Sequence, residues 1–227
     1  TNGEAIRFAK HIVRSGERMA LDSQQVVIDV STSNAVGDNT LLILVPILAA
    51  LGLTVPAIAD EASITKLKCV PGYNCDVFTD KDEARSILDS VGCYIGCLPA
   101  ARAPAEIIFQ TAMESTGISS NLHLRAACEV ARKVVCGAKF VLFDIKIGVG
   151  SNDFESEKDA KAYAELLIEI SEGLHVTADV LISSSEQPFG RHIGHRFEMI
   201  SAIKTLAGHE NGVNTEVAAN CATQILL

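Results

Sequence analysis

Tryptophan is absent from the 227-residue chain, and phenylalanine and tyrosine together make up only 5% of it. There is therefore no platform on which nucleobases would stack. Basic clusters are missing as well, and the formal charge is −9. General nucleic-acid binding needs a cationic face to displace counterions, so nucleic acid is not an expected ligand. No apolar run reaches the length of a transmembrane helix. The nearest, residues 41–59, is broken by Pro46 and Pro56 and reads as a core helix followed by a strand. The seven cysteines are odd in number and contain no C-x-x-C pair, which excludes a disulfide framework or a structural zinc site as the organising principle. They read as free thiols in a reducing compartment. No secretory signal is visible and the first residue is Thr1, so the expectation is an intracellular setting, either cytoplasm or an organelle such as the mitochondrion.

Hydrophobic residues make up 48% of the chain, enough for a sizeable core in one large domain or a main domain with a small lobe. Helical periodicity over residues 2–19 places Ile6, Ala9 and Val13 on one face and Arg7, Lys10, Arg14 and Arg18 on another. Beyond it, strands and helices alternate. Strands are expected near 26–31, 55–59, 93–98, 139–145 and 176–183. Helices are expected near 39–53, 80–91, 102–114, 121–136, 156–172, 195–206 and 214–226. Strands separated by amphipathic helices give an α/β class with a mainly parallel sheet flanked by helices. The run Gly148-Val149-Gly150-Ser151-Asn152 follows a strand directly, at the end where such sheets hold ligands.

The segment Val27-Ile28-Asp29-Val30-Ser31-Thr32-Ser33-Asn34-Ala35-Val36-Gly37-Asp38-Asn39-Thr40 reads as a strand, a polar turn and a helix start. Such a junction leaves backbone N–H groups free for phosphate. Phosphate loops normally need glycine, yet Ser33, Asn34 and Ala35 occupy the turn and only Gly37 remains. The segment resembles the K-H-S-T-G-G-V-G-D-K-T motif of thymidine and pyrimidine-nucleoside phosphorylases. Gly52-Leu53-Thr54-Val55-Pro56 and Val70-Pro71-Gly72-Tyr73-Asn74 look like that family's G-L-x-V-P and I-P-G-F-N. Ala103-Pro104-Ala105-Glu106, Phe143-Asp144-Ile145-Lys146-Ile147-Gly148-Val149-Gly150 and Gln187-Pro188-Phe189-Gly190-Arg191-His192-Ile193-Gly194 are similar to A-P-A-D, L-D-V-K-V-G-S-G and Q-P-L-G-R-A-I-G. The matches run in the family's order over nearly the whole chain. The resemblance implies the nucleoside phosphorylase–phosphoribosyltransferase fold, with residues 1–25 as a reduced remnant of an N-terminal helical lobe. Residues 26–227 would be the α/β domain, with the helices of 102–136 packing on the lobe. Relative to the family, the expectation is that most of that lobe and the whole C-terminal α/β appendage are lacking.

The site chemistry implied by the resemblance is only partly present. The family's phosphate-side Lys and His fall on Asp29 and Val30, while Ser31 and Thr32 match. The serine after D-x-T falls on Leu41. The second, glycine-rich phosphate segment is replaced by the short, acidic run 57–65 with Asp60 and Glu61. Residual phosphate residues would be Ser31, Thr32, Asp38 and Thr40. For the base, the Arg, Ser and Lys positions fall on Met113, Cys128 and Arg132, of which only Arg132 keeps a suitable donor. If Asp29 pairs with Lys66 or Lys146, protein fills the anion loop; if it points away and Ser31, Thr32 and Thr40 converge on an empty pocket, an enzyme or sensor is favoured.

Other constellations carry less. His192 and His195 with Glu198 have metal-ligand residue types but read as a helix start, and Asp29, Asp38 and Asp60 are a candidate Mg2+ set only if the fold assembles them. Ser183-Ser184-Ser185 lacks a nucleophile elbow, and Cys128 and His123 are five positions apart on one helix. No cofactor is expected. The reading is a degenerate, non-catalytic phosphorylase-like chain serving as a structural or scaffold subunit beside other protein subunits. The alternative is a divergent pyrimidine-nucleoside phosphorylase, with phosphate and a pyrimidine nucleoside as ligands. A sensor that binds a nucleoside without turnover lies between them.

Overall fold

In the computed structural model, residues 1–19, 26–32, 35–116, 121–151 and 153–227 are described. In chain order the elements are α1 (Asn2–Arg14), β1 (Ile28–Thr32), α2 (Thr40–Ala50), β2 (Val55–Ile58), α3 (Glu61–Leu67), α4 (Lys81–Val91) and β3 (Cys93–Gly96). There follow α5 (Pro104–Thr116), α6 (Leu122–Val135), β4 (Phe140–Ile147), α7 (Glu157–Gly173), β5 (Thr177–Ser184), α8 (His195–Leu206) and α9 (Val213–Leu226).

The strands pair in parallel, β1 with β4, β4 with β5, and β2 with β3. Thr54 joins the two sets, because its carbonyl accepts from Ile28 N–H at 2.9 Å and its N–H donates to Val26 O at 3.1 Å. The continuous order is therefore β3-β2-β1-β4-β5. The chain winds outward in one direction from β1 and in the other from β4. The carboxyl ends of β1 and β4 thus flank a topological switch point, where open α/β sheets place ligands.

Both sheet faces are covered, as the apolar strands require. Val141, Phe143 and Ile145 of β4 pack beneath α1, α6 and α7. Leu142 with Ile28 and Val30 of β1 packs beneath α2, α8 and α9. The α/β class and all five strands agree with the alternation in the sequence.

Two differences have physical causes. The first helix ends at Arg14 rather than running on to residue 19. Gly16 lies so close to the 101–102 backbone that a Cβ there would sit 2.3 Å from Arg102 O, which a helical side chain would not allow. The second is α3, one of its seven residues after another unanticipated because the run is too short to show a period. It is held instead by its cap, where Asp60 Oδ1 accepts from Ser63 N–H at 2.9 Å. The N-terminal helix α1 packs on α5, α6 and α7.

Candidate active-site cleft

A cleft of about 270 Å³ opens beside the carboxyl ends of β1 and β2, with α6 as its other wall. From β1 it takes Ser31 and Thr32, from the start of α3 Asp60, and from α6 Arg125, Glu129 and Arg132. Ser31, Thr32 and Arg132 thus line one cleft. The four α6 residues Arg125, Glu129, Arg132 and Lys133 follow helical spacing, so one polar stripe of the helix faces the sheet ends. Reading for a motif missed Arg125, Glu129 and Lys133; the i, i+4, i+8 spacing of charges inside an otherwise apolar helix was the signal available.

Each cation at the cleft has an acid beside it. Arg132 Nε lies 2.7 Å from Glu106 Oε1, whose carboxyl is pushed upward by burial. Arg125 Nη2 lies 2.7 Å from Asp153, and its guanidinium stands 5.0 Å from the centre of the Tyr163 ring. Lys133 is buried, 3.2 Å from Asp29, and donates to Val30 O at 2.9 Å and Ile58 O at 3.0 Å. Two of its N–H donors thus go to strand-end carbonyls, and its charge is paired with Asp29. Ser31 Oγ donates to Glu129 Oε1 at 2.8 Å, and Tyr163 donates to the other oxygen at 2.6 Å.

Asp29 therefore pairs with Lys133 and not with Lys66 or Lys146, the two partners that would have filled the anion loop. The reason is that Asp29 points to the α6 face of the sheet, whereas Ile28 and Val30 point to the other. Burial pushes the Asp29 carboxyl up to about 6, against the lowering effect of Lys133.

Asp38 and Thr40 do not reach the cleft. Asp38 Oδ1 accepts from Thr40 N–H at 2.8 Å and Oδ2 lies 3.6 Å from Lys146, which also pairs with Asp144. Thr40 is buried, and its hydroxyl has no hydrogen-bond partner among the described residues. Asn39 N–H donates to Asn214 Oδ1 at 2.8 Å, and Asn214 Nδ2 donates to Gly37 O at 3.0 Å. Lys66 donates to Asp38 O and sits 2.7 Å from Glu198. Gly37 has φ +70° and approaches Gly190 so closely that a Cβ would meet Gly190 N at 2.9 Å. The start of α2 is clamped from α3, α8 and α9. Ser33, Asn34 and Asn152 lie outside the described residues.

Of the base positions, only Arg132 lines the cleft. Met113 stands on α5 away from it, and Cys128 is buried, with its thiol pushed up to about 12 by desolvation. The remaining constellations come apart. His123 contacts Asn2, Ser183 donates to Asp144, and Glu198 is committed to Lys66. Asp29, Asp38 and Asp60 each serve a separate contact, and no group of three His, Cys, Asp or Glu side chains is arranged to hold a metal ion among the described residues.

No profile of a known protein family matches the chain. Individual proteins do. A thymidine phosphorylase of Agrobacterium fabrum is 30% identical over 213 residues, covering 91% of this chain and 48% of that protein. A pyrimidine-nucleoside phosphorylase of Staphylococcus epidermidis is 28% identical, covering 99% and 53%, and human thymidine phosphorylase is 27% identical, covering 87% and 42%. Over most of its length the chain is similar to thymidine and pyrimidine-nucleoside phosphorylases. It spans about half the length of these relatives. No described helix is long and apolar enough to cross a membrane.

Proposed function

We propose that this chain keeps the phosphorylase framework without phosphorolysis and acts as a structural or scaffold subunit of a larger assembly. The observation that carries this reading is the start of α2, where the amide of Asn39 is taken by Asn214 and that of Thr40 by Asp38. A phosphate there would have to displace two protein acceptors that already satisfy the helix N-terminus. The cleft supports the same reading, since Arg125, Arg132 and Lys133 are each committed to a carboxylate. Preorganised donors are worth about 3 kcal/mol each to a charged transition state, and here they are engaged with the protein itself. The reading includes a lobe remnant at residues 1–25, protein partners, and a reducing intracellular setting that suits seven free thiols.

A divergent pyrimidine-nucleoside phosphorylase is the second reading, favoured by the meeting of Ser31, Thr32 and Arg132 in one cleft. Calorimetry with phosphate, thymidine and uridine, with phosphorolysis assayed on the same sample, separates the two. Absence of heat and product is the expected result; turnover would overturn the non-catalytic reading.

A further inference from the structure

The outward face of α8 is not the polar surface that a solvent-facing helix carries. Glu198, Ser201 and Ala202 turn inward and are buried. The opposite arc presents Phe197 at 62% exposure, Ile200 at 41%, Ile203 at 51% and Leu206 at 44%, and Ile193 just before the helix is 61% exposed. Phe197, Ile200 and Ile203 follow an i, i+3, i+6 spacing that winds round the outer side of the helix, and Leu206 lies a half-turn from Phe197. An apolar arc of this extent on one helix marks an interaction site.

Charge sets this face apart again. The chain carries −9 overall. Yet the stretch 188–209 holds Arg191, Arg196 and Lys204 with His192, His195 and His209, against one acid, Glu198. That acid is buried on Lys66, so no acid of the stretch is exposed. Glu210, just beyond it, lies 3.4 Å from His192. The relief is concave on both flanks. A groove of about 290 Å³ runs between α8 and the α9 start past Arg191, Thr205, Glu210 and Val213, and one of about 280 Å³ lies past Val36, Ile193, His195 and the Lys66–Glu198 pair.

We propose that the outer face of α8 docks an acidic amphipathic helix of another protein. Apolar side chains of such a helix would lie along Phe197, Ile200 and Ile203 and enter the flanking grooves, and its acids would meet Arg191, Arg196 and Lys204. A two-fold contact of α8 with α8 in a second copy would set like charges against each other, and a flat bilayer would leave both grooves unfilled. The proposal rests on the surface alone and stands whether or not the cleft is catalytic.

The test uses the whole chain and a fluorescein-labelled helix of about 20 residues, leucine on one face and glutamate on the other, read by anisotropy. A leucine–lysine helix of the same pattern is the control. The leucine–glutamate helix is expected to bind, the control not, and affinity to fall about tenfold or more between low and high salt. Phe197→Asp, and separately Arg196→Glu with Lys204→Glu, should each lose binding while melting temperature and far-ultraviolet circular dichroism hold. Equal binding of both helices, or of neither, overturns the proposal. So does self-association by sedimentation that Phe197→Asp abolishes, which would assign the face to a second copy. Co-flotation with phosphatidylserine vesicles that the same variant abolishes would overturn it in favour of a lipid surface.

Discussion

Asp29 and Lys133, on β1 and α6, form an ion pair at 3.2 Å that is almost wholly buried beneath the ends of β1 and β2. The ammonium also ties the carbonyl of Val30 to that of Ile58, so one side chain joins two strand ends to a helix. Removing one partner of a buried pair leaves an uncompensated charge. Lys133→Met is expected to destabilise the chain by about 3–5 kcal/mol at neutral pH, measured by urea denaturation. Asp29→Asn in the same chain should recover part of that loss, because it removes the stranded carboxylate.

The same carboxylate sets a pH dependence of definite sign. Burial raises its pKa in the folded chain to about 6, above its ordinary value of 3.8. Between those values the folded state binds more protons than the unfolded one, so stability falls as pH rises through the window and levels off above it. The shift corresponds to about 3 kcal/mol. The stability difference between the wild type and Asp29→Asn should therefore move against the wild type by roughly this amount from pH 4 to pH 7. A flat difference would show that burial does not raise the Asp29 carboxyl.

Asn214 and the α2 start make the third prediction. Asn214→Ala strands Gly37 O and Asn39 N–H together, at a cost of about 2 kcal/mol by differential scanning calorimetry. In the unaltered chain, phosphate should give no thermal shift. A ligand at a hundredfold its Kd would add about 2.7 kcal/mol, so a real site would be visible.

Thiol accessibility supplies the fourth. Cys69 is exposed, while Cys75, Cys128, Cys136 and Cys221 are buried, and desolvation pushes the thiols of all four upward. Ellman's reagent should find one fast thiol in the native chain, absent in Cys69→Ser, and all seven after denaturation.

Gly37, Pro71-Gly72, Ala103-Pro104 and Pro188-Phe189-Gly190 were readable as turns and helix starts because their backbone demands are local. The strands were readable for the same reason: β-branched runs such as 26–30 and 140–147 announce themselves within a few residues. The site was legible in part. Ser31, Thr32 and Arg132 meet in the cleft, whereas Asp38, Thr40, Met113 and Cys128 do not line it. Glu129, invisible to motif reading, holds Ser31, and a short helix capped by Asp60 stands where an acidic loop was expected.

The sequence by itself determined the α/β class, the positions of the strands and the kinship with nucleoside phosphorylases, since periodicity, turn chemistry and short motifs are written in neighbouring residues. Only the tertiary structure decided which charges meet. Asn39 and Asn214 are 175 positions apart in sequence, and Asp29 found its partner on α6 because the pleat of β1 turned it away from the face that Ile28 and Val30 bury. Such pairings follow from which faces pack together, a property of the assembled sheet that no local stretch of the chain contains.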